Sequence, residues 1–163
     1  MNTGLSNILK ELFPEVKEIK PVERPIITSE KIESDIWLLG FVEGEGNFYI
    51  KSSITQVVLV FSISQHSRDA HLMGVIKDYF NCGKLERPST RPNTVNFVVY
   101  KHKDILNRIV SFFTLNTILG IKRLDFNDFC KVSSLMKNKV HLTNKGREKI
   151  MHIKKYMNTG RKL

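Results

Sequence analysis

Trp37–Ile50 reads WLLGFVEGEGNFYI, and a change of rhythm inside it decides the fold. Up to Glu45 the stretch is largely apolar, without alternation, and carries Gly40 and Gly44 four residues apart. That spacing puts both glycines on one helix face. A glycine in a helix interior costs about 1 kcal/mol relative to alanine, so two together point to close approach of another helix backbone. Ser34 caps a helix that begins at Asp35, runs to Glu45 and ends at Gly46 as a C-terminal glycine. From Asn47 the period becomes two. Phe48 and Ile50 point one way, and Asn47, Tyr49 and Lys51 the other. A helix therefore leads straight into a half-buried strand.

Outward from that stretch the pattern repeats. Gln56–Gln65 is a second strand, with Val57, Leu59, Phe61 and Ile63 as its apolar row. Arg68–Phe80 reads as a helix with Leu72, Val75, Ile76 and Tyr79 on one face, stopped at Asn81-Cys82-Gly83. Lys84–Arg87 and Thr94–Tyr100 form a second strand pair around a loop of turn formers. Helices follow at Asp104–Phe113, at Ile121–Met136 (with Leu124, Phe129 and Val132 apolar) and from Thr143 to Met157, where Ile150, Ile153 and Met157 share a face. The order α-β-β-α-β-β-α-α-α predicts an α+β domain over residues 34–163, a four-stranded antiparallel sheet with helices on one face. Residues 1–33 read as an extension, with a short helix near Ser6–Leu12 and extended backbone at Pro21 and Pro25. The open sheet face would carry Tyr49, Lys51, Gln56, Lys84, Glu86, Arg87, Asn96 and Lys101. Such a face either lies in a major groove or is simply solvated.

The chain of 163 residues has a formal charge of +10 and a pI near 9.7. This implies an anionic partner, nucleic acid before an anionic membrane surface. The excess is densest after Val140, where Lys145, Arg147, Lys149, Lys154, Lys155, Arg161 and Lys162 face only Glu148. Cys82 and Cys130 lack the spacing of a zinc site or a disulfide framework and read as small apolar residues. No apolar run is long enough to span a bilayer. Ala70 is the only alanine, while Ile, Lys, Asn and Phe are abundant. These residues have AT-rich codons, as in an organellar genome.

Glu43 and Glu45 crowd a helix C-terminus, where the macrodipole disfavours anions. They are either ligands of a divalent cation such as Mg²⁺, which carboxylates bind well, or surface glutamates at a frayed end. Leu38–Gly46 (LLGFVEGEG), followed by aromatic Phe48, is similar position by position to the motif of the LAGLIDADG homing endonucleases. Phe61–Asp69 (FSISQHSRD), the segment from Gly120 to Phe126, His141–Thr143 and Met157–Arg161 also resemble that family, as do Phe13-Pro14 and Arg24-Pro25, which match the linker before a second repeat. The resemblance implies the family fold and a site-specific, metal-dependent DNA endonuclease. It assigns Glu45 to the metal, Gln65 to placing a water, Lys122 to charge near the scissile phosphate, and Glu43 to a role that is either structural or in support of the metal ligands. One motif supplies half a double-strand-cutting site. The resemblance therefore implies a homodimer through the motif helix, with Trp37, Gly40, Phe41 and Gly44 at the contact. Duplex DNA would meet Tyr49, Lys51, Gln56, Arg68, Lys84, Arg87, Asn96 and Lys101, with Lys145, Lys154 and Arg161 adding charge. The alternative is an RNA-binding member of the family, a maturase or a component of a ribosomal ribonucleoprotein. The expected location is an organelle, the mitochondrion first and the chloroplast second.

Overall fold

The computed structural model describes residues 6–16, 30–53 and 56–161. Pro21, Arg24, Pro25 and Lys162 lie outside them. Helix α1 (Asn7–Leu12) is capped by the Ser6 hydroxyl and buries none of its residues. Helix α2 (Asp35–Glu45) starts where Ser34 Oγ accepts from the Trp37 amide at 3.3 Å. It is followed without a break by β1 (Gly46–Ser52). Gly46 departs from the expected left-handed cap, because its backbone is extended (φ −78°, ψ 152°). Glycine is required there for space: a Cβ would sit 2.4 Å from Val42 Cγ1 and 2.7 Å from the Val42 carbonyl oxygen.

Strand β2 (Val57–His66) pairs with β1, and after a short turn α3 (Ala70–Phe80) crosses to β3 (Lys84–Glu86) and β4 (Thr94–Val99). The sheet is antiparallel in the order β1-β2-β4-β3. Phe48 sits across from Phe61, and Phe61 from Val99, so the apolar rows align across strands. Helix α4 (His102–Asp104) continues through a π-helical stretch, Ile105–Val110, into α5 (Ser111–Leu115). The expected single helix over 104–113 is thus present but locally underwound by the wider π turn, with Ile105, Ile109 and Phe113 still buried. Helices α6 (Lys122–Lys137) and α7 (Asn144–Lys155) complete the layer.

The core lies between this layer and one sheet face. Phe48 is at its centre, with the rings of Phe61, Phe113, Phe126 and Phe129 all 5.1–5.4 Å away. Burying such rings is worth about 1.5–3 kcal/mol each, so this cluster fixes how α6 sits on β1. Some predicted faces shift. On α3, Val75 and Ile76 are buried as expected, but Met73 and Phe80 rather than Leu72 and Tyr79 join them, and Leu124 is exposed on α6. Both cysteines are half-buried, and burial, the main cause in each case, pushes both thiols up to about 11. Among the described residues no helix is long and apolar enough to cross a membrane.

Candidate active site and nucleic-acid interface

The C-terminal end of α2 is held by α6 and the loop before it. Lys122 Nζ donates to the Val42 carbonyl at 2.9 Å and to the Gly44 carbonyl at 3.4 Å. An ammonium there neutralises the negative helix end. The cation that the crowded glutamates required is in part this lysine. Burial is the largest influence on Lys122 and lowers its pKa against the pull of Glu45, Glu43 and Asp125. Glu43 turns the other way and accepts a hydrogen bond from the Leu119 amide. Gly120 lies against the same carboxylate, with an added Cβ only 3.3 Å from Glu43 Oε2. Glu43 is therefore a latch between α2 and the α5–α6 loop, the structural one of the two roles that the resemblance implied.

Glu45 remains exposed at the junction of α2 and β1. The register pairs Gly46 with Ile63, so Gln65 lies two residues further along the interior strand β2, at the end of the sheet where α2 delivers Glu45. Gln65 is half-buried there. The fold thus brings Glu45, Lys122 and Gln65 to one end of the molecule, although the first two reach it from segments far apart in sequence. Among the described residues no group of three or more His, Cys, Asp or Glu side chains comes together. Of the two motif glutamates, Glu45 is the exposed one and the one that could hold a metal. That donor fits Mg²⁺, which binds through one or two carboxylates and otherwise takes water and phosphate oxygens.

The outer face of α2 is bare. Trp37 stacks on Phe41 with ring centroids 5.2 Å apart. Ile36 is 78% exposed and Trp37 46%. A Cβ added at Gly40 or Gly44 would meet nothing within 4 Å. In this chain alone the glycines thus flank open space.

The open sheet face carries an aromatic and charged network. Tyr100 follows β4 and its hydroxyl donates to Glu86 Oε2 at 3.1 Å. Lys84 Nζ lies 3.0 Å from Glu86 Oε1. The Lys51 ammonium sits 5.0 Å from the Tyr100 ring centroid and 5.9 Å from that of Tyr49. The hydrogen bond from Lys84, and then that from Tyr100, hold the Glu86 carboxyl below its ordinary value against desolvation. Asn96 pairs across from Glu86, half-buried, with no partner for its Oδ1 among the described residues. Gln56 is exposed at the β1–β2 hairpin, and Arg68, in the turn after β2, is exposed beside Asp69. Arg87 is exposed just past β3, and Lys101 has left β4 to become the residue before α4.

Two of the basic residues expected at nucleic acid are engaged with the protein. Arg161 donates to Asp125 Oδ1 through Nε (3.1 Å) and Nη2 (2.8 Å), and to Asp128 Oδ2 (2.7 Å). Its charge is neutralised between two largely buried carboxylates, so the guanidinium expected at nucleic acid is held by the protein itself. Lys154 is half-buried and donates to Ser52 Oγ at 2.8 Å, at the end of β1. Lys145 is exposed at the start of α7, on the helical layer. Asn158 is a further anchor that no local pattern in the sequence marks. Its left-handed backbone (φ 52°) lets its amide donate to Asp125 Oδ1 at 2.9 Å while Nδ2 donates to the Phe48 carbonyl at 3.0 Å. The Met157–Arg161 segment is thus a clasp between β1 and α6.

Comparison with known proteins supports the architecture. The LAGLIDADG endonuclease family model matches residues 38–133. Probable intron-encoded endonuclease 2 of Neurospora crassa is 38% identical over 94% of this chain and 35% of its own length. The LAGLIDADG homing endonuclease I-GzeII, in complex with its DNA target, superposes with a TM-score of 0.89 at 38% identity, over 99% of this chain and 55% of that one. I-SmaMI, bound to cleaved DNA, superposes with a TM-score of 0.87 at 38% identity, again over 99% and 55%. This chain belongs to the LAGLIDADG endonuclease family. It spans about a third of that curated relative and about half of those solved chains.

Proposed function

We propose that this chain is a DNA-binding half of a site-specific homing endonuclease. It completes a metal-dependent site when α2 meets a second LAGLIDADG helix, supplied as a homodimer by another copy. The observation that carries the reading is the placement of an exposed carboxylate, Glu45, and a carbonyl-held ammonium, Lys122, at one end of a helix whose Trp37–Gly44 face is bare. Pairing two such helices through that face would set two copies of Glu45 near one axis.

Duplex DNA would lie against the open sheet, with Tyr49, Lys51 and Lys84 beneath it. Lys122 would stabilise charge developing on the scissile phosphate. Gln65, at the adjacent end of β2, would orient the attacking water. A divalent metal, Mg²⁺ in the first instance, held by Glu45, would polarise the phosphate and lower the pKa of bound water. The codon-biased composition supports an organellar location, the mitochondrion.

The test is exposure of the assembled protein, with Mg²⁺, to a randomised duplex library, with structured RNA as a parallel ligand. Recovery of a cut consensus supports the reading. A protein that leaves every duplex intact but binds structured RNA tightly is the RNA-binding alternative instead.

A further inference from the structure

On the open sheet face, one pair of side chains has a built-in polarity. Lys84 and Glu86 project from the same face of β3, an edge strand, with Nζ and Oε1 3.0 Å apart. Glu86 is the one acid among the open-face residues of the four strands, and it is fixed rather than loose. The Tyr100 hydroxyl occupies Oε2, and the Tyr100 ring lies 5.5 Å from the Lys84 ammonium. A carboxylate in the middle of a phosphate-binding surface would repel the backbone. A carboxylate facing base edges instead supplies an acceptor that lysine and arginine cannot.

We propose that Lys84 and Glu86 together read a single base pair in the major groove, preferring G·C with the guanine under Lys84. The inference rests on the DNA-binding reading above. In a G·C pair the guanine O6 acceptor and cytosine N4 donor are themselves hydrogen-bonded, about 2.9 Å apart. The Lys84–Glu86 separation matches that spacing, so donor meets acceptor and acceptor meets donor in a closed ring of four contacts. Each Glu86 oxygen keeps lone-pair capacity beyond its protein partner, and the lysine ammonium has three hydrogens. One goes to Glu86, one to O6 and one to N7. A T·A pair presents the same polarity through thymine O4 and adenine N6, but puts a methyl group where the guanine N7 would accept. It ranks second. C·G and A·T reverse the polarity, setting the ammonium against an amino group and the carboxylate against a carbonyl. Both are rejected.

The experiment is affinity selection of a randomised duplex library by the intact protein, without metal, comparing wild type with Glu86→Gln and Lys84→Met. Wild type should enrich a site in which one position favours G·C over C·G by about tenfold or more. In Glu86→Gln the carboxamide offers both a donor and an acceptor, so that preference should fall to within about twofold while other positions keep theirs. Lys84→Met should relax the same position. Far-UV circular dichroism and melting temperature confirm that both exposed-site variants fold. If wild type enriches a site and the variants enrich the identical site, or relax two different positions, the base-pair reading is overturned and the nuclease reading stands. If wild type enriches no sequence at all, both are overturned.

Discussion

Arg161→Ala is the most informative stability perturbation, because the clasp it closes joins the last described segment to the helix that carries Lys122. The side chains of Arg161, Asp125 and Asp128 are only 16%, 10% and 14% exposed. The substitution removes three charge-assisted hydrogen bonds of 2.7–3.1 Å. It leaves Asp125 with the Asn158 amide and Asp128 with Lys131. Breaking a fully buried pair costs about 3–5 kcal/mol. Each carboxylate here retains one partner and some water, so the expected loss is about 2–3 kcal/mol, or about 5–10 °C in Tm for a chain of this length. Burial alone would raise the Asp128 carboxyl, but hydrogen bonds from Lys131 and Arg161 outweigh it and hold the pKa below its ordinary value of 3.8. A depressed carboxylate contributes stability above its unfolded pKa and loses it as pH falls through the folded one. The gap between wild type and variant should therefore shrink below pH 3.8. Urea unfolding across pH 2.5 to 7 reads both effects. A loss under about 0.5 kcal/mol at neutral pH, the range of ordinary surface substitutions, would refute the clasp.

Gly46→Ala should cost about 3 kcal/mol or more, beyond ordinary overpacking, because the new Cβ meets the Val42 backbone as well as its side chain. Chemical denaturation reads this directly. Burial first, and then the hydrogen bonds to Asp35 and Glu86, push the Tyr79 and Tyr100 phenols up to about 12. A raised folded pKa contributes stability that is present below the ordinary value and lost as pH rises through the folded one. Absorbance at 295 nm should accordingly show these phenolates only near pH 12, with unfolding, and a titration complete by pH 10.5 would contradict it. Trp37→Glu places a charge on the bare α2 face and should abolish self-association, by sedimentation, while leaving the monomer's circular dichroism unchanged.

Much of this arrangement was legible because period is physical. The alternation of Phe48 and Ile50 with Tyr49 and Lys51 follows from strand geometry, and β1 buries those two apolar residues and no others of the four. Ser34 and Thr143 announced their helices because hydroxyl caps act locally. What escaped depended on partners distant in sequence. Val60 and Val98 lie on the open face yet are buried, since Tyr49 and Lys84 cross them from neighbouring strands. Arg161 looked like free charge until α6 brought Asp125 and Asp128 beneath it. The π-helical stretch at Ile105–Val110 leaves no mark in composition, because Ile105, Ile109 and Phe113 recur every four residues, a spacing that α- and π-helical turns both accept. Of the candidate site, Glu45 was readable in the motif and Lys122 and Gln65 through resemblance. That Lys122 caps the very helix that ends in Glu45 could only come from the fold.

Whether Glu45 and a metal make this fold a nuclease is decided by Glu45→Gln. Once the enriched duplex is known, wild type and Glu45→Gln are assayed for cleavage with Mg²⁺ and for binding without it. Binding should be equal and the cleavage rate should fall at least about 100-fold, the scale on which removing one charge-stabilising group from an active site is felt. A Glu45→Gln protein that cuts as fast as wild type would contradict the role given to Glu45.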